Sequence, residues 1–397
     1  MGELPARRGL TTLYRSVGEE LHHFDVDVEA ASLTRRGTVR VPAGVQYVWL
    51  HPSRQYLYVA SSDRGSGATG DTHHLTAFRV DTATGALGTH GEPLPLPSRP
   101  IHMSLDRTGN FALTAYNLPS RVTVHRINGD GTIGALVTHP TPLDTGIYAH
   151  QILATPDNRA VILVARGNDA AGSRPEDPGA LKVFRFDHGV LSNLASVAPG
   201  GGYGFGPRHL DFHPEQPWVY VARERENKLD VYRLDGQTLS AAPLFVKDTL
   251  GEPRNLRGRQ AAGTVHMHPG GRFVYVANRA SATALVAGQP VFQGGENTIA
   301  VYAIDRGTGE PTIIQSADAH GYHVRTFALD PSGRLMATAT IAPINVRDGS
   351  GIIRVPAGLS LFRVGDDGRL GFVRTYDVET DGKFQWWMGM VGLPGRS

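Results

Sequence analysis

The strongest constraint in this sequence is a phrase of about fourteen residues that returns six times. It runs VWLHPSRQYLYVAS from Val48, MSLDRTGNFALTAY from Met103 and ILATPDNRAVILVA from Ile152. The later copies are LDFHPEQPWVYVAR from Leu210, VHMHPGGRFVYVAN from Val265 and FALDPSGRLMATAT from Phe327. Each is an apolar strand, a His-Pro or Asp-Pro-like turn, and a second apolar strand. A third strand follows every copy (LTAFRVD, RVTVHRI, LKVFRFD, LDVYRLD, TIAVYAID, LSLFRV), and a Gly turn with a fourth strand usually comes next. Each unit is therefore a four-stranded meander with period-two alternation, the form of a propeller blade.

The chain ends supply one more blade. Thr11 to Val41 reads as three strands with no turn phrase before them, and Trp386 to Leu393 (WWMGMVGL) is a lone apolar strand. Joining the two closes the ring and removes an exposed sheet edge. The expectation is all-β: one seven-bladed propeller domain over residues 1–397, closed by its N- and C-terminal strands. Six blades with a decorated end is the alternative. Two insertions, 281–295 and 342–358, fall between second and third strands and are read as lid loops or as tolerated surface additions.

Composition narrows the chemistry. Cysteine is absent, which excludes disulfides, thiolate nucleophiles and thiolate metal sites. Lys and Arg number 39 against 37 Asp and Glu, too near balance for a nucleic-acid surface. No apolar run reaches the roughly 20 residues that cross a bilayer. Met1 to Arg15 carries Glu3, Arg7 and Arg8 and lacks a leader-like apolar stretch, so a cytoplasmic protein without membrane contact is expected. Oligomeric state is not readable from the sequence.

Polar residues flanking the phrase should meet around the channel although they are far apart in sequence. They are Arg99 and His102, His150, Arg208 and His209, Glu224, His266, Arg279, and His323 and Arg325. Such a cationic ring suits a small anionic ligand, because guanidinium forks bind carboxylate or phosphate bidentately. Histidine beside a carboxylate can exchange protons at neutral pH. The bland alternative for each is capping of strand ends. His51, His213, His268, Asp106 and Asp330 lie in the turn itself and are read as turn formers. Glu224 is placed where sister blades carry Ser61, Asn117 or Asn278, facing the rim; a solvated Arg-Glu-Arg-Glu run is the competing reading. The nearest metal-like pair, His266 and His268, includes a turn histidine, so no metal or other cofactor is expected.

The segment GPRHLDFHPEQPWVYVARE, followed by LDVYRL, resembles the lactonase family of seven-bladed propellers, which spans 6-phosphogluconolactonase and carboxy-cis,cis-muconate cyclase activities. Pro100 and His102 in the HMSLD segment, PDNR after His150, and VHMHPGGRFVYVANR match the same family in order. The resemblance implies catalytic roles for His150, Arg208, Glu224 and Arg279. His102, His209, His266, His323 and Arg325 stand beside them as substrate-binding candidates. It also implies metal-free hydrolysis of an anionic sugar lactone, with cycloisomerisation of a carboxymuconate as the reverse-sense alternative. A non-enzymatic binding scaffold is the rival from another class, and it predicts aromatic patches on a rim. This chain departs from the family at Arg223 and Arg225 flanking Glu224, at Thr264 where an acid is usual, at ATIAP (residues 339–343), and in both insertions.

Overall fold

The computed structural model describes residues 9–65 and 70–394; Glu3, Arg7 and Arg8 of the opening segment lie outside them. Each copy of the phrase forms the two inner strands of an antiparallel blade, so six copies make blades two to seven. In blade five, Pro207–Phe212 is innermost and pairs with Trp218–Arg223, which pairs with Lys228–Asp235. Blade one is assembled from both ends of the chain. Met388–Leu393 is its inner strand and pairs antiparallel with Leu10–Val17, from Leu10 opposite Leu393 to Arg15 opposite Met388. The closing strand begins two residues later than the sequence suggests. Trp387 instead exchanges hydrogen bonds with Ser16, and Arg15 Nη1 donates to Gln385 Oε1 at 3.1 Å. Among the described residues no helix is long and apolar enough to cross a membrane.

The core lies between blades. Tyr56–Ser62 is buried along its whole length. Its Leu57 and Val59 pack with Tyr14, Leu21 and Trp387 of blade one. Tyr58 and Ala60 point the other way, onto Met103, Leu105 and Ala112 of blade three. Alternation that would normally separate core from solvent here separates two cores, which is why these strands read as continuous apolar runs.

Two polar devices tie neighbouring blades. The turn histidines His51, His213 and His268 reach the carbonyls of Gly109, Gly271 and Gly333 in the next blade, at 3.2, 2.9 and 3.1 Å. Asp106 and Asp330 fold their own turns by accepting from the backbone of Phe111 and Leu335. On the second strands, buried Tyr14, Tyr58, Tyr220 and Tyr275 donate to the carbonyls of Gly85, Gly131, Gly309 and Gly368, at 2.6 to 3.0 Å. These glycines sit in outer turns of the following blade. Gly131 has φ of 85°, and a Cβ there would lie 2.5 Å from the Tyr56 ring, so only glycine fits the clasp.

Both insertions fold as β-hairpins rather than irregular loops: Thr283–Val286 with Gln289–Phe292, and Ile344–Asp348 with Gly351–Val355. They touch each other, Asn345 Nδ2 donating to Pro290 O at 3.2 Å, and Phe292 packs edge-on to Tyr322. Ser281, Ala282 and Ile341 at their roots line the cavity described next.

Candidate active site

A cavity of about 580 Å³ opens at one mouth of the channel, and its lining follows the repeat. Counting from the turn residues Asp106, Thr155, His213, His268 and Asp330 sorts most of it into three rows. Arg99, Tyr148, Ala261 and His323 lie seven residues before the turn; Ile101, His150, Arg208 and Arg325 lie five before. Arg166, Glu224, Arg279 and Ile341 lie eleven after, at or just past the end of the second strand. The middle row has a structural cause. His150, Arg208 and Arg325 are each the unpaired extra residue of a β-bulge, since the ladder skips from Ala149 to Gln151, Pro207 to His209 and Val324 to Thr326. A bulge re-aims its extra side chain, and here it turns three cations into one space.

Glu224 is the centre of this cluster and is buried, 8% exposed. Arg279 Nη2 and Arg166 Nε donate to its two carboxylate oxygens, and Arg208 Nε stands 3.5 Å from Oε1. Arg166 also binds Asp169 through Nη2, at 3.0 Å to both oxygens. Burial, reinforced by Arg166, lowers the Arg208 pKa to about 10. Burial, followed by the repulsion of Arg208 and Arg325, drives His150 well below the ordinary histidine value, so its ring is neutral. Among the described residues its Nδ1 is buried without a partner, which leaves Nε2 to serve a molecule in the cavity. His323 is neutral for the same reasons, lowered to about 3 by burial, then Arg279 and Arg325.

The lining carries seven guanidiniums (Arg99, Arg166, Arg174, Arg208, Arg259, Arg279, Arg325) and two carboxylates, Glu224 and Asp169. That imbalance makes the cavity an anion receptor. The flanking Arg223 and Arg225 do not add to it, because Arg223 pairs with Glu226 and Asp230, and Arg225 with Asp169 and Glu176.

The sequence candidates divide accordingly. His150, Arg208, Glu224, Arg279, His323 and Arg325 share the cavity. His102 and His209 lie one residue deeper, in a buried stack where His102 meets Tyr47 at 3.9 Å and His209 at 6.2 Å between ring centroids. They support the cavity floor and are not part of its lining. His266 does not join the site. It lies two residues before its turn, about 10 Å further along the inner strand than the bulge row at roughly 3.3 Å per residue. There it faces Asp211 at 3.6 Å and packs on Phe327. The register of Glu224 also needs correction: its equivalents are Ser62, Asn117 and Arg279, whereas Ser61 and Asn278 match Arg223.

Arg166, Tyr148 and Trp386 were missed by the sequence reading. Arg166 had a signal, since it occupies the same repeat position as Glu224 and Arg279. Tyr148 shares the row of Arg99 and His323. Trp386 had none, because it precedes the closing strand and has no counterpart in the repeat. Among the described residues no group of three or more His, Asp or Glu is arranged to hold a metal ion.

Comparison with known proteins bears on what this cavity is for. Residues 9–346 match the family described as "Lactonase, 7-bladed beta-propeller". The chain is 30% identical over 332 residues to 6-phosphogluconolactonase of Pectobacterium carotovorum subsp. carotovorum, an alignment covering 81% of this chain and 84% of that protein. It is 26% identical over 341 residues to 6-phosphogluconolactonase of Bacillus subtilis, with 83% and 87% covered. Its fold matches that of a periplasmic gluconolactonase from Pseudomonas aeruginosa with a TM-score of 0.73 at 20% identity, over 97% of this chain and 100% of that one. With seven blades counted and the match spanning most of them, the chain belongs to the lactonase family of seven-bladed β-propellers.

Proposed function

We propose that this protein hydrolyses a sugar lactone, with chemistry centred on Glu224. The observation carrying the proposal is a buried carboxylate shared by three guanidiniums in an anion-receptive cavity, in a chain whose relatives are named 6-phosphogluconolactonase. Glu224 takes a proton from a water as that water's oxygen bonds to the lactone carbonyl carbon. Neutral His150 orients the water by accepting its other hydrogen. The negative charge that develops on the carbonyl oxygen is met by Arg208 and Arg279, which stand fixed before the reaction begins. The ring C–O bond then breaks, the proton on Glu224 passes to the departing ring oxygen, and the carboxylate is restored. No metal or covalent intermediate is needed to balance these steps.

Arg166 is a positioning residue in this scheme, holding Glu224 from the side opposite Arg279's oxygen. The relatives' names favour hydrolysis over the cyclising direction. The binding-scaffold alternative lacks support from the cavity, whose polar lining is charged rather than aromatic. The test is a pH-indicator assay of acid release from glucono-1,5-lactone and 6-phosphogluconolactone. Acid release above the spontaneous rate is expected for at least one of them. Background rates for both would refute the proposal.

A further inference from the structure

The cations of the cavity are not equally occupied. Arg166, Arg208 and Arg279 gather on Glu224, and Arg259 binds Asp169. Apart from Arg174, which is exposed, the cavity arginines without a carboxylate among the described residues are Arg99 and Arg325. Arg99 Nε donates to a neutral group, Gln46 Oε1, at 2.8 Å. The Arg325 guanidinium is half-buried and lies over the Trp386 ring, 4.7 Å from its centroid; that of Arg99 lies 5.9 Å from the same ring. Burial disfavours the Arg325 charge, and Arg208 and Arg99 add to that. An indole face holds guanidinium planes by cation–π attraction while leaving their N–H edges free. Two such cations, one buried and one half-buried and neither with a counter-ion, are stabilised by any anion that enters.

We infer that Arg99 and Arg325, ordered by Trp386, form a subsite for the phosphate of a phosphorylated lactone, separate from the Glu224 centre where the ring is opened. A phosphate monoester matches two unpaired guanidiniums in charge, and each fork can take two of its oxygens. The cavity, about 580 Å³ and continuous from Trp386 to Glu224, is within the range of small-molecule sites. This inference rests on the lactonase reading for the identity of the ring, and deepens it by naming what selects the substrate.

The test compares R325Q and W386F with wild type on 6-phosphogluconolactone and on glucono-1,5-lactone. Loss of a charged hydrogen-bond donor should cut the preference, the ratio of the two kcat/KM values, by roughly tenfold to a hundredfold in R325Q. W386F should lower it less. Removing a cation that has no carboxylate partner strands no buried charge, so R325Q should fold. Calorimetric binding of 6-phosphogluconate and gluconate gives a readout without turnover. Wild type should prefer the phosphorylated acid, and R325Q should lose that preference. Equal proportional loss for both lactones, or wild-type binding that ignores the phosphate, overturns the subsite. A wild type that hydrolyses neither lactone yet keeps an Arg325-dependent preference for 6-phosphogluconate refutes the lactonase reading and leaves the phosphate site standing.

Discussion

Replacing Glu224 by Gln preserves the side chain's shape and removes the one charge that Arg166, Arg208 and Arg279 hold in common. All four residues are at least nine-tenths buried. The variant therefore leaves three cations facing one another in a site with little water to screen them. Breaking a single buried ion pair costs about 3–5 kcal/mol, and here three partners lose it together. The expectation is a loss of about 3 kcal/mol or more in urea unfolding at neutral pH, part of it recovered when inorganic phosphate binds in the cavity beside the uncompensated guanidiniums. Lactone hydrolysis should fall by roughly 10²-fold or more, the usual contribution of a positioned general base. The coupling between R166Q and E224Q in a double-mutant cycle should be at least about 1 kcal/mol, since the two groups touch. Wild-type unfolding in E224Q would refute the electrostatic argument. Wild-type turnover in a destabilised E224Q would refute the catalytic role alone.

Acid sensitivity follows from the buried histidines. His102, His150, His209 and His323 are all lowered from the ordinary 6.5, so the unfolded chain takes up protons that the fold refuses. Stability from each is complete above about pH 6.5 and is lost as pH falls toward the folded values, at about 1.4 kcal/mol per pH unit per histidine. Urea midpoints between pH 7.5 and 5.5 should drop steeply, and H323N should reduce the slope by about one proton; a flat profile would contradict this. Tyr220→Phe should cost about 1–3 kcal/mol, because the buried Gly309 carbonyl loses its donor, and unchanged urea unfolding would deny the clasp any role.

The architecture was legible because blades repeat and a repeat is visible without any knowledge of contacts. The wall of the site was legible for the same reason wherever its residues recur in register, as with His150, Arg208 and Arg325. Arg166 escaped because the second strand of its blade was read only to Ala165, although one step further lands on the row of Glu224 and Arg279. His266 misled because its distance from the turn was not counted, and three residues' offset from the bulge row along an inner strand is a different level of the channel. The bulges that aim the middle row are invisible in sequence, being a property of how two strands pair. The hairpin form of the insertions did have a local signal, the two-residue turns Ala287-Gly288 and Gly349-Ser350 between short apolar-containing runs.

The last strand of the chain has a consequence beyond architecture. Trp386 borders the cavity, and its neighbours Gln385 and Trp387 bond to Arg15 and Ser16 just before Met388–Leu393 zips onto Leu10–Val17. The segment that closes the ring therefore also sets one border of the cavity, so loosening the pairing of Met388–Leu393 with Leu10–Val17 would open the scaffold and the binding pocket together.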